Sequence, residues 1–455
     1  MTGRSFFGSR RHFFKLGAQV GGVGLGAGLT HLLPFRSMVP AEEVALGQEQ
    51  AGTPPHRFLQ IFLLGGWDSA LATDPIVGSK LSSGNYESIY NSYEVTSVPD
   101  KANLRVGIGL KPAINAFAAL PSAFVNGIFV EVTAHDLATK YVFSGTLSLS
   151  RSREYPAFIA RVGEAAAGFP SHVLLGNSMP LGDTKLTSPP IWAGDASMLA
   201  NLFQGPYNPW FSDEMVDRAG LLTALNNKRF YERLSAKAQA SLQPWVNANR
   251  DISSLYGGNY REKLTLTEAV QSRYHVTDGN WWHPEALMAS TFLLLKSGLS
   301  PYITAAFGSY DTHTSHIANH LPEMNRFAEN LNTLIGDMRE TPDPADGNLS
   351  LADTTTILIT SEFVRTPRFN NGAGTDHWPS CSCILMGKGV KDNTVLGGTD
   401  DQAVALGWDE GQLVTRVPEN TLLPDHLVAA IVQHLGFPTV ANAISEKPLG
   451  GLFES

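Results

Sequence analysis

The strongest constraint on this chain is a run of β-branched and apolar residues that gives way at once to polar chemistry. Thr354 to His377 reads TTTILITSEFVRTPRFNNGAGTDH. Its first part, Thr354 to Thr360, has the length and composition of one buried strand. Ser361-Glu362 stand at the expected carboxyl end, and Arg365 and Arg368 occupy the basic turn that follows. A Gly/Asn-rich loop then delivers Asp376-His377. In an open α/β sheet, ligands gather beyond the carboxyl ends of the strands. A carboxylate beside an imidazole there suits a divalent metal. An Asp-His pair is equally at home in a solvated loop, so the reading depends on partners elsewhere in the chain.

Three other stretches repeat the pattern. Phe58 to Leu64 is apolar and ends at Gly65-Gly66-Trp67-Asp68, where two glycines allow a sharp turn and Asp68 lands at the sheet edge. Two readings of Asp68 are open, metal ligand or helix cap. Gly127 to Val132 is a second expected strand, followed by Thr133, His135 and a helical segment. Thr133 reads either as an ordinary helix cap or as a hydroxyl placed to attack phosphorus or sulfur near a metal. Pro301 to Phe307 predicts a third strand, leading into Asp311-Thr312-His313. Residues two apart in extended chain point the same way, so Asp311 and His313 can share one metal. His316 and His320 then open an amphipathic helix with apolar positions at Ile317, Leu321, Met324, Phe327, Leu331, Leu334, Ile335 and Met338.

Further strands are expected at Ser171 to Leu175 and Ser382 to Met386. Helices are expected over Met215 to Leu225, Lys228 to Leu242, Glu285 to Lys296 and Pro424 to Leu435. The mixed, polar stretch 205–280 reads as an insertion in one large domain spanning 58–455. A formal net charge of -9, with no basic run past residue 40, excludes nucleic acid as an expected partner. Cys381 and Cys383 are too constrained on one strand for an easy bridge. They read as core residues, with a soft-metal role as the alternative, and a disulfide scaffold is excluded.

The amino terminus reads as an address. Ser9-Arg10-Arg11-His12-Phe13-Phe14-Lys15 matches the twin-arginine export pattern. The Gly-diluted run Leu16 to Leu33 is too weak for a stable membrane span. A small residue at Ala41 allows cleavage, giving a signal over 1–41 and a linker over 42–57. An uncleaved anchor and chance arginines are the alternatives. Export would use the twin-arginine translocase and place the chain in the periplasm or outside the cell, with no transmembrane segment beyond the signal.

In order, GGWD, TAHDLATKYVFSG, YDTH, SEFVRTPR and GTDHW resemble the bacterial domain-of-unknown-function family 1501 over most of the mature chain. That family looks like a divergent branch of the alkaline phosphatase–sulfatase superfamily. The resemblance implies a doubly wound, mostly parallel α/β sheet carrying metal at Asp68, Asp311, His313, Asp376 and His377. It implies zinc or calcium as the divalent ion. The superfamily's histidine falls four residues after the middle Asp, whereas His313 is at two and His316 at five. No Cys/Ser-x-Pro-x-Arg sulfatase segment occurs, and no third late histidine sits on a loop, His426 and His434 falling in the last expected helix.

Two functions are therefore expected to compete. One is an exported metal-dependent hydrolase of a small phosphate or sulfate ester. In it Thr133 is the nucleophile, His135 or Glu362 the proton carrier, and Arg365 a bidentate clamp on the anion. The other is a degenerate member kept as a cell-envelope binding or accessory protein. A two-electron oxidoreductase is a weaker third, since no dinucleotide-binding glycine turn or cluster-binding cysteine run is present.

Overall fold

The computed structural model describes residues 56–75, 95–147, 157–166, 172–176, 190–202, 260–277, 279–308, 310–400, 402–409, 411–445 and 447–454. The twin-arginine segment, the cleavage junction, the linker up to residue 55, both helices expected within 215–242 and most of the 205–280 insertion lie outside these residues. Among the described residues no helix is long and apolar enough to cross a membrane.

The strands in chain order are β1 (Arg57–Leu64), β2 (Thr96–Val98), β3 (Lys101–Val106), β4 (Ser122–Phe129), β5 (Val173–Gly176) and β6 (Ile191–Ala193). They continue as β7 (Tyr302–Gly308), β8 (Thr355–Thr360), β9 (Val364–Arg365), β10 (His377–Trp378) and β11 (Ser380–Gly387). Last come β12 (Thr394–Gly397), β13 (Gly407–Asp409) and β14 (Gln412–Val414). Eight of them form the central sheet in the order β12-β4-β11-β8-β1-β7-β5-β6. Within it β1 runs parallel to β7 and β8, and β11 alone is antiparallel to both of its neighbours.

Both faces of this sheet are covered, which is why its strands are continuous apolar runs. Leu59, Ile61 and Leu63 of β1 join one core with the helices Pro284–Ser297 and His316–Glu340. Phe58 and Phe62 join the other, with the helices His135–Ser144, Phe158–Ala165 and Pro424–His434. A one-residue slip of β1 would exchange the two sets, so burial on both sides pins the register. The fold is thus a mostly parallel, doubly wound α/β sheet.

Three differences from the expected elements stand out. β4 covers Ser122–Phe129 instead of starting at Gly127, because Asn126-Gly127, which resembles a turn, lies inside the strand. The Asn126 side chain is satisfied by Thr73, accepting from its hydroxyl at 2.7 Å and donating to its carbonyl at 3.0 Å. Gly127 takes φ +67°, and a Cβ there would lie 2.1 Å from the Gly398 carbonyl oxygen. The short strands β6 and β12 have no clear period of their own and were not foreseen. Thr133 does not cap its helix, which starts at His135 with Ala134 in the cap position.

The topology fixes where chemistry can occur. The carboxyl ends of β1, β4, β7 and β8 open on one rim of the sheet. β11 runs the other way, so its beginning, just after His377, opens on the same rim.

Candidate metal centre

Gly65, which follows β1, is the hub of this rim. Its N–H donates to Glu362 Oε1 at 2.8 Å and its carbonyl accepts from Arg365 Nη1 at 3.0 Å. It has φ +109°, and a Cβ would fall 2.2 Å from the backbone nitrogen of Asp311. Only glycine meets both conditions without strain. Gly65→Ala is therefore expected to cost about 1–3 kcal/mol from the backbone alone, with more from displacing Asp311. Urea denaturation checks it, and a wild-type midpoint would disprove the hub.

Beyond β7 and β8 two loops are laced together. The backbone N–H groups of Ser315 and His316 donate to Gly372 and Ala373, and that of Thr375 donates to Thr312. Gly374 is pressed on this seam, where a Cβ would meet the His313 carbonyl carbon at 1.9 Å. The short pairing of β9 with β10 sets Arg365 opposite His377.

These contacts bring three imidazoles to one carboxylate. His377 Nδ1 lies 2.8 Å from the Thr133 carbonyl, which can only accept, so Nδ1 carries the proton. Burial pushes the His377 pKa down and keeps the ring neutral. Its Nε2 lone pair then faces Asp311 Oδ1 at 3.2 Å. Two acceptors at that distance need a proton or a metal ion between them. His135 repeats the pattern: Nδ1 is 2.7 Å from Glu362 Oε1, and that hydrogen bond is the main reason its pKa rises. His135 Nε2 is buried, stands 3.3 Å from Asp311 Oδ2 and makes no hydrogen bond. His313 places Nδ1 3.1 Å from Asp376 Oδ1, and its Nε2 is 3.0 Å from Asp311 Oδ1. An inward Nε2 with an acceptor behind Nδ1 is the usual posture of a metal-bound histidine. Among the described residues, His135, Asp311 and His377 offer one donor atom each within 4.8 Å of one another.

The cluster is open to solvent but stands on a buried base. The Asp311 side chain is 42% exposed, whereas Glu362 is fully buried. The Phe363 ring packs 4.5 Å from His377 and 4.9 Å from His135, fixing both imidazoles.

The structure redistributes several of the expected roles. Asp311, His313 and His377 come together. Asp376 stands behind His313, where the Asn370 amide and His313 hold its carboxyl below the usual range. Asp68 is buried elsewhere: Oδ1 accepts from the Ala70 N–H, capping a short 3-10 helix, and Oδ2 accepts from His316 Nε2 at 2.9 Å. Arg365 does not present a bidentate face to an anion. Its donors go to the hydroxyl and carbonyl of Thr375, to Gly65 and to Asp311 Oδ1 at 2.8 Å, so it positions Asp311. Glu362 accepts from Gly65, His135 and the Ser361 hydroxyl, and so orients a histidine from a site closed to solvent. Thr133 contributes its carbonyl to His377. Thr375 and Phe363 were missed, because neither residue type signals chemistry in the sequence.

A family model described as "Protein of unknown function (DUF1501)" matches residues 207–437, just over half of the chain. No curated protein matches it. Among solved structures, the chain is similar to a protein in the alkaline phosphatase superfamily from Vibrio parahaemolyticus. Identity there is 10%, the overlap covers 85% of this chain and 69% of the other, and the TM-score is 0.40. It is also similar to a lipoteichoic acid synthase from Listeria monocytogenes, at 8% identity, 90% and 98% coverage and a TM-score of 0.37. The alkaline phosphatase of the Antarctic bacterium TAB5 overlaps with 12% identity, 75% and 95% coverage and a TM-score of 0.30.

Proposed function

We propose a function from one premise: the chain belongs to the DUF1501 family, proteins of unknown function. It is an exported, metal-dependent hydrolase of a small phosphate or sulfate ester. The observation that carries this reading is the approach of the His135 and His377 Nε2 atoms to the Asp311 carboxylate, with the outer nitrogen of each ring already committed. The resemblance of the GGWD, SEFVRTPR and GTDHW segments to the phosphatase–sulfatase superfamily supplies the ester class.

His135, Asp311 and His377 would hold the ion. When bound, a divalent ion there would supply Lewis-acid chemistry to the ester or to a water molecule. The chain's own groups do the rest. Glu362 keeps His135 in one tautomer, the Thr133 carbonyl does the same for His377, and Arg365 holds Asp311 in place. The Thr133 hydroxyl makes no hydrogen bond among the described residues, which leaves it available as the attacking group.

A specific observation favours a second reading, a cell-envelope binding or accessory protein in which any metal serves structure. The two charged groups expected to meet the ester, Arg365 and Glu362, are both buried and hydrogen-bonded into the scaffold. Metal analysis of the purified chain, with turnover of aryl phosphate and aryl sulfate esters before and after chelation, separates the two. The hydrolase reading expects bound metal and chelator-sensitive turnover. Absence of turnover, with or without bound metal, selects the accessory protein, and a chain that takes up no metal and hydrolyses nothing ends the hydrolase reading. Export rests on Ser9 to Lys15. Replacing Arg10 and Arg11 by lysine should leave the chain in the cytoplasm, and unchanged export would remove that part.

A further inference from the structure

We infer that Thr312 is a positioning residue of this rim: its hydroxyl closes a ring of four hydrogen bonds through Asp68, His320 and His316, and the ring fixes where Asp311 and His313 leave the chain. The inference rests on the metal reading above and adds to it a residue that acts only through its two neighbours.

Alternation along the chain places Thr312. Asp311 and His313 turn outward, with side chains 42% and 45% exposed, so Thr312 between them turns inward and is buried. His316 and His320, one turn apart at the start of their helix, share a face, with ring centroids 4.4 Å apart. Both imidazoles and Asp68 are buried as well. Polar groups taken out of water need partners, so each proton in the group requires an acceptor.

The protons can be followed from one member to the next. The backbone N–H of Asp68 can only donate, so His320 Nε2, 2.9 Å away, accepts, and the His320 proton sits on Nδ1. That Nδ1 lies 3.1 Å from Thr312 Oγ1 and donates to it. The Thr312 hydroxyl donates in turn to His316 Nδ1 at 2.6 Å. His316 Nε2 then donates to Asp68 Oδ2 at 2.9 Å, and the ring is closed on the residue where it began. Thr312 Oγ1 accepts one bond and donates the next, which serine can do and valine cannot. Bonds linked in this way polarise one another. Further contacts carry the order outward. The Thr312 carbonyl accepts from the Thr375 N–H at 3.1 Å, and Thr375 Oγ1 lies 3.0 Å from His316 Nδ1 and 3.1 Å from Arg365 Nε. Arg365 donates to Asp311 Oδ1, so Asp311 is held both by its chain neighbour and by the guanidinium.

The test has two arms on the full chain. Isotope-labelled histidine and long-range proton–nitrogen correlations read the tautomer of each ring, and calorimetric titration reads zinc affinity. In wild type His316 is expected to carry its proton on Nε2 alone and His320 on Nδ1 alone. Thr312→Val should weaken zinc binding by at least about tenfold, and Thr312→Ser should restore it. Two protons on either ring, or the opposite tautomer, would overturn the closed ring, and that result is read in wild type whether or not a variant folds. Wild-type zinc affinity in Thr312→Val, or a Thr312→Ser chain as weak as Thr312→Val, would overturn the positioning role while leaving the metal reading standing. No zinc uptake by wild type would overturn both.

Discussion

Replacing Asp311 with asparagine is expected to lower metal affinity by at least about a hundredfold and to remove chelator-sensitive turnover with it. Asp311 is the carboxylate on which His135, His313 and His377 all converge. Asparagine keeps the shape but loses the charge that a cation needs. Loss of a group that only supports a ligand already costs about 10- to 100-fold in affinity, and Asp311 would face the proposed ion directly. Stability should change little, by roughly 1 kcal/mol or less, because the side chain is partly exposed and Arg365 keeps its bonds to Gly65 and Thr375. Glu362→Gln gives the contrasting result. It keeps an acceptor for His135 and for Gly65, and the Ser361 hydroxyl can still donate to the Leu63 carbonyl, so a loss of only about 10- to 100-fold is expected. Calorimetric titration of both variants with zinc measures the difference. Equal affinities for Asp311→Asn and wild type would remove Asp311 from the centre.

The second large effect is acid destabilisation from two histidines far from the site. His172 is fully buried, with Nε2 on the Thr304 hydroxyl at 2.9 Å, and burial lowers its pKa to about 3. His56 is lowered to about 3 by burial, then by His434 and Lys388. Both folded values lie below the unfolded value of about 6.5, so the unfolded chain binds the extra proton. Their stabilisation is therefore complete above about pH 6.5 and is lost as pH falls from there towards 3. At pH 5 the loss is about 2 kcal/mol for each. Urea midpoints between pH 7.5 and 5, with chelator present throughout, test this. His172→Gln should remove only its own share of the fall, about 2 kcal/mol at pH 5, and an unchanged slope would show that His172 stays neutral for no energetic reason.

Much of the architecture was legible because strands buried on both faces leave an unmistakable apolar signature. The ends of β1, β7 and β8 could be read within a residue or two. β4 could not, since Asn126-Gly127 looks like a turn until Thr73 is seen to satisfy the asparagine. The site was legible as a set of positions more than as a set of roles. Asp311 and His313, two apart, reach the same place, as alternation along an extended chain requires. Alternation also means that adjacent Asp376 and His377 face different ways, which is why the carboxylate lies behind His313 while the imidazole reaches Asp311. Nothing in the sequence reveals that Arg365 is consumed by Thr375 and Gly65, because such saturation depends on loops brought together in three dimensions.

The reversed direction of β11 also bears on biogenesis. Because that strand starts where its neighbours finish, the last imidazole arrives only after the chain has been made as far as residue 377, long after His135 and Asp311. A nascent chain short of that point has His135 and Asp311 but cannot close the cage. Any loading with metal would thus wait for the rim to assemble, and a chain stalled before residue 377 would be released empty.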